Sequence, residues 1–85
     1  MESAFRENVP DDCRLIETFR FEPRVGNVHL ELHLNRMCDT ARKLGFPFNR
    51  AQAVNLCDTV ASYEMLRCRL TLGRDGKFEL SSQPF

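Results

Sequence analysis

The stretch Leu66-Arg67-Cys68-Arg69-Leu70-Thr71-Leu72 alternates without a break between two kinds of side chain. Side chains on a strand point to opposite faces with a period of two. The segment therefore has an apolar face of Leu66, Cys68, Leu70 and Leu72 and a polar face of Arg67, Arg69 and Thr71. A strand of this kind needs neighbours for its backbone groups and a cover on one side only, which restricts the chain to a sheet with a single buried face.

The rest of the sequence supplies the neighbours and the cover. Asp75-Gly76, within Gly73 to Lys77, has hairpin-turn chemistry, and Phe78 and Leu80 alternate with Lys77, Glu79 and Ser81 in a return strand. Upstream, Leu15, Phe19 and Phe21 share one face, and Ile16, Thr18 and Arg20 the other. Pro23 to Asn27 reads as a turn, and Val28 to Leu32 as a short second strand completing a hairpin with the first.

From Leu34 the period changes. Leu34, Met37, Cys38, Ala41 and Leu44 form one helical stripe, which Gly45 ends with a left-handed residue and Pro47 prevents from continuing. Asn49 and Gln52 have capping-box spacing, and Ala53, Leu56, Cys57, Val60 and Ala61 make a second stripe ending near Ser62. The order β-β-α-α-β-β predicts an α+β fold: a small antiparallel sheet with two helices packed on one face. Residues 1–13 read as a polar, frayed lead-in and 14–85 as one small domain.

A chain of 85 residues buries only about 60% of its unfolded surface, so the core is thin and a deep pocket is not expected. Twelve basic residues balance twelve acidic ones along the chain, which argues against nucleic acid or an anionic membrane as partner. The start lacks a basic segment followed by an apolar one, and no apolar run approaches a bilayer span, so a cytoplasmic location is the expectation. Cys13, Cys38, Cys57 and Cys68 are widely spaced without a Cys-x-x-Cys pair, and read as free thiols, with Cys38, Cys57 and Cys68 pointing into the core.

Few constellations carry chemistry. His29-Leu30-Glu31-Leu32-His33 would place three potential ligands on one face of a strand, but no further ligand is evident and the glutamate is misplaced for a zinc-hydrolase helix, so no metal site is expected. The glycines are isolated and form no phosphate-cradling loop. The basic residues are more informative, because ten of the twelve are arginine, whose planar fork matches phosphate and carboxylate. Arg36 lies off the apolar stripe of the first helix, and Arg67 and Arg69 project together from the later strand. If helix and strand meet at a cleft edge, the three guanidiniums hold a phosphate and a carboxylate; singly, each is an ordinary solvated arginine.

The segments Leu15 to Arg20, His33-Leu34-Asn35-Arg36-Met37, Ala41 to Phe48 and Leu66 to Leu72 together resemble the N-terminal small domain of the class IV aminotransferases, which are fold-type IV pyridoxal-phosphate enzymes. Within that family the likeness is nearest to aminodeoxychorismate lyase. The resemblance runs from about Leu15 to the end. It implies that Arg36 holds the cofactor phosphate and that Arg69 or Arg67 faces the substrate carboxylate. It also implies a Schiff-base lysine in a second, larger domain, a context that neither Lys43 nor Lys77 matches.

The expected function is accordingly that of the small domain of a pyridoxal-phosphate-dependent aminotransferase or aminodeoxychorismate lyase-like enzyme. Its substrate would be an amino acid or aminodeoxychorismate. The chain alone is expected to be inactive and to bind no cofactor stably. A non-catalytic binding or assembly module derived from the same fold is the alternative. Because the family's cofactor lies between two domains, the small domain alone is expected to expose arginines and some apolar area, and to form a homo-oligomer that relieves the exposure.

Overall fold

The computed structural model describes residues 12–85. The lead-in read over 1–13 therefore lies outside the described residues apart from Asp12 and Cys13. The elements are β1 (Arg14–Glu22), β2 (Gly26–Asn27), α1 (Leu30–Leu44), α2 (Arg50–Cys57), β3 (Leu66–Gly73) and β4 (Phe78–Pro84). The strands form one antiparallel sheet in the order β2-β1-β3-β4. This is the expected α+β arrangement, with the alternating strand β3 as a central strand.

Register follows the alternation. Arg14 to Phe21 of β1 pair with Gly73 to Leu66 of β3, and Leu66 to Leu72 pair in turn with Pro84 to Phe78 of β4. The apolar positions of the three strands therefore fall on one face, where α1 packs against β1 and α2 against β4. The core comprises Phe19, Phe21, Leu34, Met37, Ala41, Phe46, Ala53, Cys57, Leu66, Cys68, Leu70 and Leu72. Full enclosure of Leu34, Leu70 and Leu72 stabilises the fold by about 1.5–3 kcal/mol for each side chain.

The helix boundaries are chemically explicit. Gly45 takes φ 79°, and its N–H and that of Phe46 both reach the Ala41 carbonyl, the left-handed ending expected for a glycine at that position. Asn49 accepts the Gln52 N–H at 3.0 Å and starts α2, satisfying a donor that the helix itself leaves open.

Three expectations are corrected. Val28 to Leu32 do not form a strand: β2 is limited to Gly26 and Asn27, and α1 begins at Leu30. The alternation of Leu30 and Leu32 was ambiguous because Leu30, Leu34, Met37, Ala41 and Leu44 also lie on one helical stripe. As a helix, the segment packs Leu30 against the core and leaves Leu32 60% exposed. The hairpin loop is consequently the three residues Pro23 to Val25, closed by the Val25 N–H to the Glu22 carbonyl at 3.0 Å and followed by Gly26 at φ 95°.

The second helix ends at Cys57, five residues before Ser62. The Thr59 hydroxyl and N–H both bond the Leu56 carbonyl, and the Val60 N–H turns back to Cys57, so the last turn tightens instead of propagating. Val60 still packs against the core, but Ala61 is exposed. Lastly, Cys57 and Cys68 are fully buried, whereas Cys38 is only partly so and lies 3.8 Å from Arg42 Nη2. Its position at the margin of the helical stripe gives it one apolar and one solvated side.

Candidate functional site

The sheet face opposite the helices has no covering element among the described residues. Here the register sets Thr18 beside Arg69 and Arg69 beside Ser81, with Arg20, Arg67 and Gln83 in the next row. Ile16, Thr18, Arg67, Arg69, Ser81, Ser82 and Gln83 line a shallow concavity of about 520 Å³. Its floor carries two guanidiniums, hydroxyls and an amide.

The charges of this face are unevenly compensated. Arg20 pairs with Glu22 at 3.0 Å, and Arg14 pairs with Glu79 at 3.5 Å while donating to the Thr71 hydroxyl and the Lys77 carbonyl. Arg67 and Arg69 have no acidic partner among the described residues; Arg67 lies 5.2 Å from the centre of the Phe85 ring. Two positions apart on one strand, their β-carbons are separated by only ~7 Å. Adjacent uncompensated guanidiniums repel one another, and a carboxylate or phosphate between them removes that repulsion while using their planar donors.

Arg36 is placed elsewhere. It projects from α1 towards the helix-covered side of β1, with Nε 3.8 Å from Glu17 Oε2. Its side chain is 68% exposed, and no partner among the described residues takes its two Nη nitrogens. The other Glu17 oxygen, Oε1, is 2.6 Å from His33 Nδ1, and the His33 ring packs against Phe19 at 5.7 Å between centroids. The three arginines are thus not brought to one surface: Arg67 and Arg69 lie on the open face, and Arg36 lies beyond β1 on the helix side. The alternation of β1 decides this, because Glu17 and Thr18 necessarily point to opposite faces.

Sequence reasoning did not single out Glu17. Its signal was a carboxylate between Leu15 and Phe19 on the apolar face of a strand, where a charge needs partners. Of the strand and helix alternatives for His29 to His33, the structure takes the helix from Leu30 onward: His33 lies in the first turns of α1 and is held by Glu17. Among the described residues no three His, Cys, Asp or Glu side chains converge as metal ligands.

The two buried thiols are enclosed and held in the protonated form. Burial, then the neighbouring Cys68 and Asp58, push the Cys57 thiol up to about 11, and burial also raises Cys68. Both are protonated near neutrality, when a nucleophilic cysteine needs its thiolate. Lys43, in the last turn of α1, and Lys77, at the β3–β4 hairpin, are both exposed. No described helix is long and apolar enough to cross a membrane.

No family model matches the chain, and no curated protein does. Among solved structures, a crystal structure described as a "Putative amino-acid aminotransferase from Mesorhizobium loti" is similar, with a TM-score of 0.76 and 34% identity over 85% of this chain. The fold is aminotransferase-like. The chain spans 36% of the length of that protein, so the likeness concerns part of an aminotransferase-like protein.

Proposed function

We propose that the chain is the small-domain portion of a pyridoxal-phosphate-dependent enzyme of the class IV aminotransferase type, nearest to aminodeoxychorismate lyase, acting on an amino acid or on aminodeoxychorismate. The observation that carries this reading is the uncompensated pair Arg67 and Arg69 on the open face of an aminotransferase-like fold. In this reading one or both hold the substrate carboxylate, with Thr18 and Ser81 as flanking hydroxyls. Arg36 holds the cofactor phosphate. The residues present fit a phosphate, since Arg36 has an exposed fork whose outer nitrogens are uncommitted among the described residues.

When bound, pyridoxal phosphate delocalises the negative charge that develops at the substrate α-carbon. The part assigned to this chain is binding: fixing an anion at Arg36 and fixing a carboxylate at Arg67 and Arg69. Lys43 lies in the last turn of α1 and Lys77 at the β3–β4 hairpin, neither in the sequence context of the family's reactive lysine, which is therefore assigned to a region outside this chain. The chain alone is proposed to be inactive. Self-association that brings Arg36, Arg67 or Arg69 near a subunit boundary belongs to the same reading, since Ile16, Met65 and Phe85 are exposed at 48%, 39% and 65%.

Titration of the chain with pyridoxal phosphate, pyridoxal and an α-amino acid, followed by amide and side-chain NMR, tests the proposal. At high ligand concentration the phosphate-bearing compound should perturb Arg36 weakly, without forming a stable complex, pyridoxal should not, and the amino acid should weakly perturb Arg67 and Arg69. A stoichiometric adduct at Lys43 or Lys77 trapped by borohydride would overturn the assignment of the lysine. Silence at all three arginines would leave the assembly-module reading in place of the enzymatic one.

A further inference from the structure

We propose that Glu17 is a positioning residue that aims Arg36 at an anion, with His33 fixing the carboxylate from its other side. The inference rests on the reading of Arg36 as a phosphate-holding residue and identifies what sets its geometry. Glu17 lies on the helix-covered face of β1, opposite Leu70 of β3, and its side chain is only 12% exposed. An ionised carboxylate in such a place costs several kcal/mol unless it is paired and hydrogen-bonded.

The partners come from one turn of α1. Residues 33 and 36 are three apart and share a helix face, so both reach the same carboxylate. His33 Nδ1 takes Oε1 at 2.6 Å and Arg36 Nε faces Oε2 at 3.8 Å. The two oxygens thus serve different residues, and the carboxylate is fixed in rotation by the His33 ring, itself packed on Phe19.

The nitrogen of Arg36 that faces Glu17 is Nε. A guanidinium is planar and its donors form a fixed fork; with Nε turned towards the protein, the Nη nitrogens are carried outward into solvent, where two of their hydrogens are oriented to grip one anion. An arginine without such a tether samples many rotamers, and ordering it on binding costs about 0.5–1.5 kcal/mol. A largely buried carboxylate that draws Nε inward restricts the side chain and reduces that loss, although its own negative charge opposes an incoming anion. The arrangement trades bare charge for direction, which favours a geometrically demanding ligand such as phosphate.

The test follows the Arg36 Nε–H signal in the isotope-labelled chain, first without ligand and then with inorganic phosphate. In the wild type the signal should be visible and slow to exchange before any phosphate is added, and should shift saturably on addition. Glu17→Gln should speed its exchange and weaken phosphate binding about two- to threefold, with the amide spectrum of the sheet retained. His33→Ala, which frees the opposite oxygen but keeps the carboxylate, should give a smaller loss in the same direction, and Arg36→Lys should abolish the response. Phosphate binding at Arg36 that is as tight in both Glu17→Gln and His33→Ala as in the wild type would overturn the positioning role and leave the phosphate reading intact. A wild-type Arg36 that ignores phosphate would overturn both.

Discussion

The Arg14 guanidinium lies against the α-carbon of Gly73, so close that a β-carbon at Gly73 would sit 2.7 Å from Arg14 Nη1 and 2.8 Å from Asp75 Oδ1. The absence of a side chain at the end of β3 is what lets Arg14 reach across to Thr71 Oγ1 and the Lys77 carbonyl, joining β1 to the hairpin of β3 and β4. Gly73→Ala should displace both flexible ends and destabilise the chain by about 1 kcal/mol. In an Arg14→Ala background the same change should have a smaller effect, because one clash is already gone. A double-mutant cycle by urea denaturation reads the coupling, and strictly additive losses would show that the two residues are independent.

Alkaline pH should destabilise the fold through its buried thiols. Cys57 ionises at about 11 in the folded chain against an ordinary 9.0. Between those values the unfolded chain loses a proton that the folded chain keeps. Its contribution to stability is therefore complete below pH 9 and falls away as pH rises towards 11. A shift of that size corresponds to about 2–3 kcal/mol, and Cys68, raised by burial, acts in the same direction. Denaturation midpoints measured from pH 8 to about 11 should fall, and Cys57→Ala should flatten the curve while lowering stability throughout.

Gly45 should resist substitution for a backbone reason. Its φ of 79° lies in the left-handed region, where it hands the chain from α1 to the buried Phe46. Gly45→Ala should lower stability by about 1 kcal/mol. Thermal melts check this, and a melting temperature unchanged from the wild type would mean the helix end relaxes without loss.

Arg69→Gln should leave stability unchanged or raise it by roughly half a kcal/mol at low ionic strength, since it removes repulsion from Arg67. Added salt should erase the difference. Carboxylate binding at the open face should weaken in the same variant. A clear loss of stability instead would reveal that Arg69 supports the sheet, against its role as a binding residue.

Much of the architecture was written in local patterns. Each strand of the three-stranded platform announced its faces by alternation, and both helix starts or stops with strong chemistry, Gly45 and Asn49, were legible because a left-handed residue and a side-chain cap act on their immediate neighbours. The segment after the first hairpin was not legible. Leu30 and Leu32 satisfy a period of two and Leu30 with Leu34 satisfies a helical one, and a short window contains nothing that separates them.

The site divided in the same way. That Arg67 and Arg69 share a face followed from their spacing alone. That they face away from the helices, while Arg36 lies across β1 from them, depended on which side of the sheet α1 covered and on where Arg36 fell around that helix. Glu17, one residue before Thr18, marks the boundary: its neighbours in sequence point to the open face, but its partners His33 and Arg36 come from a helix 16 and 19 residues along the chain. Local backbone geometry fixes which way a side chain points. Only the packing of distant segments, driven by the burial of one shared apolar face, decides what it meets there.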